Sequence, residues 1–307
     1  LKALTAANVN LSSIKELDKI STLPVSEQIS DKLAAWTKQT KITKKETDNL
    51  PLLKLDHVGH QYSKNQPYPL KDVSTTINQG DFISIVGQNG AGKTTLCRTI
   101  CGFISNEGKI TLKDQNLSDL SIKERAEKIG YVMQDPNQMI SQKMIFDEIA
   151  LGLRLRNVDE ETIKQKVDQT LKICGLYPFR HWPISALSFG QKKRVTIAAI
   201  LVLEPEIIIL DEPTAGQDWK TYTEIMSFLT HLNTMGKTII IITHDMHLML
   251  EYTSRSLAFA KGKLIADTTP IELLTNQALI KEASLKRTSL YDLAKHYNLP
   301  DPNKFVQ

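Results

Sequence analysis

Apolar residues fall into short dense runs over most of the chain and are sparse at its start. Residues 1–50 are polar and helix-prone. They end in the basic run Lys38-Gln39-Thr40-Lys41-Ile42-Thr43-Lys44-Lys45, which reads as a solvated linker. Pro51 opens a β-rich region, with strands expected at 52–58, 73–77 and 82–86. The last is an apolar run ending in glycine, the pattern of a buried parallel strand. A helix is expected at 93–101 and further strands at 109–112 and 129–133.

The second half alternates more regularly. Residues 144–157 have helical spacing, with Ile145, Ile149, Leu153 and Leu155 marking the apolar face. Residues 159–173 predict a second helix, with Thr162 and the acidic pair Glu160-Glu161 at its start. Then follow a helix at 191–203, a buried strand at 206–210, a helix at 219–234, a strand at 238–242 and a short helix after His244. Residues 256–260 and 263–265 read as a hairpin around Gly262. Strands alternating with helices imply an α/β fold with a mostly parallel, covered sheet. The helical block at 140–190 interrupts that sheet as a subdomain.

Composition narrows the class. With 307 residues and 41% hydrophobic content, the chain can form one large domain or two modest ones. A net charge of +4 is too small to argue for nucleic acid. No apolar run approaches the roughly 18 residues needed to span a bilayer. Leu1-Lys2-Ala3-Leu4 lacks the apolar core of a signal peptide. The chain does not open with methionine, so a fragment or a processed chain is expected. Three cysteines, Cys97, Cys101 and Cys174, without framework spacing fit a reducing cytoplasm. Cys97 and Cys101, four apart on an expected helix, read as small buried apolar residues rather than a metal pair.

Two segments carry phosphate chemistry. Gly87-Gln88-Asn89-Gly90-Ala91-Gly92-Lys93-Thr94 fits the Gly-x-x-x-x-Gly-Lys-[Ser/Thr] loop between an apolar strand and a helix. Its glycines let successive N–H groups converge on phosphate oxygens. Lys93 supplies a mobile positive charge, and the Thr94 hydroxyl is a hard oxygen ligand for Mg²⁺. The helix that follows directs its positive end at the anion. The run Ile207-Ile208-Ile209-Leu210 then delivers Asp211 to the metal, and places Glu212 to orient or deprotonate an attacking water.

Between these segments lies Leu187-Ser188-Phe189-Gly190-Gln191. This order of motifs resembles the ATP-binding cassette (ABC) ATPases over about residues 52–270. The resemblance implies a P-loop NTPase core with an antiparallel β subdomain and an inserted helical subdomain (about 136–190) carrying the signature. It implies ATP bound by Tyr62, Gly87, Gln88, Asn89, Gly90, Ala91, Gly92, Lys93, Thr94 and Thr95, with Tyr62 stacked on adenine. Mg²⁺ would be held by Thr94, Gln134 and Asp211. Glu212, Gln134 of the Q-loop and the switch histidine His244 would be catalytic. Leu187, Ser188, Phe189, Gly190 and Gln191 would close over the nucleotide of a second cassette, which the D-loop residue Asp218 touches. A serine hydroxyl and N–H groups at a helix start can hold a γ-phosphate.

The spacing of 53 residues from Gln134 to Leu187 leaves no room for the long coiled coil of chromosome-maintenance relatives. No membrane domain shows in these 307 residues, so a one-chain exporter half is not expected. Tyr131-Val132-Met133-Gln134-Asp135-Pro136-Asn137-Gln138, the helix opening Met144-Ile145-Phe146-Asp147, and Thr214-Ala215-Gly216-Gln217-Asp218 resemble the energy-coupling-factor ATPases, which energise vitamin or transition-metal uptake. The tail after Thr268 is also similar. The stretch after Gln134 is one residue shorter than usual, and Gln217 stands where leucine is common. Both features resemble the second half of a tandem-cassette protein. Residues 289–300 also match 13–24 at five of twelve positions, 276 residues apart. Hence 1–50 is expected to be the tail and linker of an upstream cassette, 51–275 the ATPase domain, and 276–307 a C-terminal helical tail. The expected partners are that upstream cassette in cis, otherwise a homo- or heterodimer mate, with integral membrane coupling and substrate-capture subunits at the cytoplasmic face of the membrane. No nucleic acid is expected. The alternatives are a soluble ABC ATPase acting on ribosomes or nucleic acid, which the short basic run disfavours, and a regulatory cassette without turnover, which Glu212 and His244 disfavour.

Overall fold

The structure, a computed structural model, describes residues 27–39, 50–63, 68–286, 292–293 and 296–298. In chain order the strands are β1 (Pro51–His60), β2 (Leu70–Asn78), β3 (Phe82–Val86), β4 (Glu107–Leu112), β5 (Gln115–Asn116), β6 (Ile129–Val132), β7 (Ile207–Asp211), β8 (Thr238–Ile242), β9 (Arg255–Ala260) and β10 (Lys263–Thr268). The helices are α1 (Glu27–Gln39), α2 (Lys93–Cys101), α3 (Ile122–Lys128), α4 (Ile145–Arg154), α5 (Glu160–Ile173), α6 (Phe189–Leu201), α7 (Trp219–Thr234), α8 (Met246–Tyr252), α9 (Pro270–Thr275) and α10 (Gln277–Glu282).

Two sheets result. An antiparallel sheet runs β2-β1-β4-β5. A six-stranded sheet runs β10-β9-β3-β8-β7-β6, parallel except for the β9–β10 hairpin. The isoleucine runs of β7 and β8 are near-continuous because both faces of this sheet are covered. Successive side chains of a strand point to opposite faces. Ile208, Leu210, Ile239 and Ile241 thus enter one core with the helical block α4–α6, while Ile207, Ile209, Ile240 and Ile242 enter the other with β1, β2 and α2. Arg255 ties the two sheets together. Its guanidinium donates to the Thr76 carbonyl at 2.8 Å, to Thr75 Oγ1 at 3.1 Å and to Asp267 Oδ1 at 2.6 Å.

The expected α/β architecture, with its antiparallel subdomain and inserted helical block, is present, and most strands and helices fall within two or three residues of expectation. Two details differ. Leu155 does not extend the apolar face of α4: Ile145, Ile149 and Leu153 are buried, but Leu155 is 68% exposed. The helix stops at Arg154 and the chain turns through Asn157 at φ 56°, so Leu155 leaves the buried stripe. The signature helix also begins at Phe189, not 191, because Ser188 caps it. The structure adds α3, β5 and α9, each too short to show a clear period, while α10 falls in the stretch expected to be a helical tail. Cys97, Cys101 and Cys174 are buried and free. The 13–24 half of the internal match, and most of its 289–300 partner, lie outside the described residues. Helix α1 meets the chain's other end, where Ser30 Oγ donates to the Tyr297 carbonyl at 3.0 Å.

Candidate functional site

The phosphate loop joins the end of β3 to the start of α2, and its shape requires glycine at two positions. Gly87 and Gly92 have φ of 142° and 104°, in the region side chains avoid. A Cβ at Gly87 would lie 2.2 Å from the Phe259 carbonyl oxygen, and one at Gly92 would lie 2.3 Å from that of Pro69. The β9–β10 turn fixes the loop from outside, with Gly262 N–H donating to the Ala91 carbonyl at 3.1 Å. Gln88, Asn89 and Gly90 form an exposed tip, while Ala91, Gly92, Lys93 and Thr95 are buried. Lys93 Nζ curls into the loop, donating to the Gly87 and Gln88 carbonyls at 2.8 and 3.0 Å. Burial pushes the Lys93 ammonium below its ordinary pKa, against the pull of Glu212 and Asp211.

At the head of this loop stand the two acids. Asp211 Oδ2 accepts from Tyr131 Oη at 2.9 Å and faces Thr94 Oγ1 at 3.4 Å. Burial pushes the Asp211 carboxyl up, and the hydrogen bond from Tyr131 is the largest influence opposing that. Thr94 and Asp211 thus bring hard oxygens together beside the phosphate loop, a donor set that fits Mg²⁺. Glu212 follows the strand at φ 43°, its N–H bonded to the Ile242 carbonyl at 2.9 Å. Its carboxylate then lies between two partners. Gln134 Nε2 donates to Glu212 Oε2 at 3.2 Å, and His244 Nδ1 lies 2.9 Å from Oε1. A cleft of about 530 Å³ opens there, bordered by Glu212, Ala215, Thr243, His244, Asp245 and Lys286. A carboxylate held at both oxygens beside open space can accept a proton from water.

The signature residues sit elsewhere. Ser188 and Gln191 form a reciprocal cap: Gln191 N–H donates to Ser188 Oγ at 3.2 Å, and Ser188 N–H to Gln191 Oε1 at 2.9 Å. Leu187 is buried in the helical core, whereas Phe189 is 41% exposed. A Cβ on Gly190 would lie 2.3 Å from Thr221 Cγ2, so only glycine allows α6 to approach α7 this closely. Asp218 caps α7 and fixes Thr221, accepting from its N–H and its hydroxyl, each at 3.0 Å. These residues border a separate cleft of about 470 Å³ whose lining contains no phosphate-loop residue. Tyr62 is 53% exposed beside His60, with ring centroids 4.5 Å apart and planes at 86°.

Three side chains escaped the sequence reading. Tyr131 holds Asp211, as above. Lys193, on α6, is 1% exposed and donates to the Met133 and Gln134 carbonyls at 2.6 and 2.8 Å. Burial pushes its ammonium down to about 8, against Asp211, Asp135 and Glu212. Glu148, buried on α4, accepts from the Ser141 and Gln142 N–H groups at 2.8 and 2.6 Å. Lys193 did leave a signal. It lies three residues after Gly190 and four before Ile197, a charge within the buried stripe of α6.

Residues 70–215 match the family described as ABC transporter, and residues 1–60 match one described as ATP-binding cassette cobalt transporter. The chain is 98% identical over 307 residues to an ABC transporter ATP-binding protein of Lactobacillus johnsonii, covering 100% of this chain and 54% of that protein. A counterpart in Enterococcus faecalis is 55% identical over 306 residues, covering 99% of this chain and 54% of that protein. The chain therefore spans about half the length of the curated relatives it matches. Among solved structures, cbiO1 from Clostridium perfringens, part of the ABC transporter complex cbiONQ, superposes with a TM-score of 0.69 at 33% identity, covering 75% of this chain and 93% of that one. The dimeric ATP-binding cassette MJ0796, in a post-hydrolysis state bound to ADP and Pi, gives 0.63 at 30% identity, covering 71% and 99%. Matched across nearly the whole of two solved cassettes, the chain belongs to the ATP-binding cassettes of ABC transporters, a P-loop family that hydrolyses ATP.

Proposed function

We propose that this chain binds and hydrolyses ATP as one cassette of a pair, and that the pair energises a membrane importer of the energy-coupling-factor class for vitamins or transition-metal ions. The observation that carries the catalytic part is the bracketing of Glu212 by Gln134 and His244 beside the phosphate loop. The importer class is supported by the match of residues 1–60 to a cobalt-transporter family and by the likeness to cbiO1. Pairing within one polypeptide, with the second cassette upstream, is supported by relatives about twice as long. No helix among the described residues is long and apolar enough to cross a membrane. In this reading separate membrane subunits capture and pass the cargo, and the cassettes lie against them at the cytoplasmic face.

Each residue then has a defined task. The loop 87–92 offers N–H groups and Lys93 a charge to the triphosphate, and Thr94, Asp211 and Gln134 would hold Mg²⁺, which would supply positive charge against the phosphates. Tyr62 stacks on the adenine. Glu212 takes the proton from the attacking water, and Gln134 and His244 keep its carboxylate aimed. Ser188, Phe189, Gly190 and Gln191 present the capped start of α6 to the nucleotide of the other cassette, with Asp218 beside them, so closure completes each site from both cassettes' motifs. The reading is tested in vesicles carrying the assembled transporter. Glu212→Gln should leave ATP binding intact and stop ATP-driven uptake; uptake at the parental rate would sink the assignment.

A further inference from the structure

We infer that Lys193 is a positioning residue, which fastens the Q-loop to the signature helix so that Gln134 moves with α6. The inference rests on the catalytic reading above. It begins from an oddity of packing. A lysine on the buried stripe of a helix is costly unless its ammonium is well hydrogen-bonded. Lys193 is 1% exposed, and its Nζ is bonded to two backbone carbonyls, those of Met133 and Gln134. These are the first two residues beyond β6, where the chain leaves the sheet. An apolar side chain could fill the same volume, but could not hold two carbonyls.

The rest of the loop repeats the pattern. Lys192, the preceding residue of α6, reaches Asn137 Oδ1 at 3.4 Å. At the far end, Glu148 of α4 gathers the N–H groups of Ser141 and Gln142. Residues 133–142 are therefore fastened at both ends to the helical block. The Gln134 side chain reaches back toward the sheet, to Glu212 at 3.2 Å. One helix thus carries Ser188 at its capped end and Lys193 five residues along. Any displacement of α6 by a partner at the signature is transmitted through two short hydrogen bonds to the amide that orients the catalytic base. A misplacement of about 1 Å near the reacting groups can cost a hundred-fold in rate.

A double-mutant cycle on the assembled cassette pair tests this, using Lys193→Met, Gln134→Ala and both together, with ATP affinity and turnover measured for each. Each single change should lower turnover at least about ten-fold, Lys193→Met with ATP affinity within about two-fold, and the double variant should be no slower than Gln134→Ala alone. Losses that multiply, parental turnover in Lys193→Met, or an affinity loss as large as the turnover loss would each overturn the inference. Should Lys193→Met not fold, Lys193→Gln, which keeps an amide donor on a shorter arm, enters the same cycle with the same criteria. A parental pair without Glu212-dependent turnover would instead defeat the catalytic reading and this inference with it, whereas multiplying losses in an active pair defeat only the inference.

Discussion

The phosphate loop and the signature are built in opposite ways. Around the loop, every key group is already fastened by its own chain: Lys93 by two carbonyls, Asp211 by Tyr131, Glu212 by Gln134 and His244. Around the signature, the groups are ordered by their own helix caps, and among the described residues none of them meets the phosphate loop. Ser188 caps its helix, Asp218 caps another, Phe189 stays half exposed, and the cleft they border lacks any phosphate-loop residue. In the reading proposed above, the first region is a site awaiting a ligand and the second a prepared surface awaiting another cassette's site, so that one chain would carry the major part of one ATP site and a minor part of a second.

The largest test of this contrast sets Lys93→Ala against Ser188→Arg. Lys93→Ala removes the buried ammonium that meets the phosphates, and should weaken nucleotide binding by the chain alone about a hundred-fold, read by calorimetry. Ser188→Arg places a bulky cation at the cap of α6. It should leave binding by the single chain within about two-fold, yet lower turnover of the assembled pair about a hundred-fold. Equal losses of binding by the single chain would mean that the two regions are not separate.

Next in size is Gly190→Ala. Its new Cβ would meet Thr221 Cγ2 at 2.3 Å, and Thr221 cannot simply turn away because Asp218 holds its hydroxyl and its N–H. Overpacking of this kind typically costs about 1–3 kcal/mol. Turnover of the pair should fall about ten-fold. Thr221→Ser removes the offending methyl and keeps the hydroxyl, so adding it should restore most of the loss. A double variant as slow as Gly190→Ala would show that the glycine is needed for approach of the nucleotide rather than for packing.

The same contrast explains what the sequence could disclose. The glycines and Lys93 were legible because a phosphate nest demands particular residue types at fixed spacing, and the strand before it and helix after it have clear periods. Asp211 and Glu212 were legible because a four-residue apolar run, Ile207-Ile208-Ile209-Leu210, points at them. The roles of Tyr131, Lys193 and Glu148 were not, because their partners lie far along the chain or are backbone groups, which bear no sequence mark; a charge within the apolar stripe of α6 was the one hint, at Lys193. Tyr131 is 80 residues from Asp211, and Lys193 is 59 from Gln134. Leu155 misled for a different reason: it follows directly on the apolar stripe but lies just past Arg154, where the helix has already ended. The start of α6 was misplaced because Phe189 and Gly190 are unpromising helix formers, and the reciprocal Ser188–Gln191 cap outweighs them.

Tyr131→Phe is a gentler probe of the fastened region. It removes the 2.9 Å hydrogen bond to Asp211 Oδ2 but keeps the ring, which packs edge-on against Phe103 with centroids 6.0 Å apart. Thr94 remains as the second, longer contact at 3.4 Å. A hydrogen bond to a charged group is worth roughly 1.5–3 kcal/mol, and solvent or metal can replace part of it. The Mg²⁺ concentration for half-maximal turnover should rise about three- to ten-fold, with nucleotide affinity in the absence of Mg²⁺ unchanged. An unchanged Mg²⁺ requirement would mean that Asp211 needs no fastening beyond its own strand.

The smallest effect bears on whether the phosphate region is truly self-contained. Ser284, just beyond α10, donates from Oγ to Gln88 Oε1 at 3.2 Å, so the C-terminal tail touches the exposed tip of the loop. Lys286, two residues on, lines the cleft beside Glu212 and His244. An exposed hydrogen bond between neutral side chains competes with water at both ends and nets about 0.5–1.5 kcal/mol at most. The loop is already held more firmly from the other side, by the β9–β10 turn and by Lys93 within it. Ser284→Ala should therefore shift nucleotide affinity by no more than about two-fold. A ten-fold shift would correspond to about 1.4 kcal/mol, nearly the whole range for such a bond. In that event the tail would be part of the nucleotide site, and the line between a fastened region and a waiting one would have to be drawn through α10 instead of around the loop.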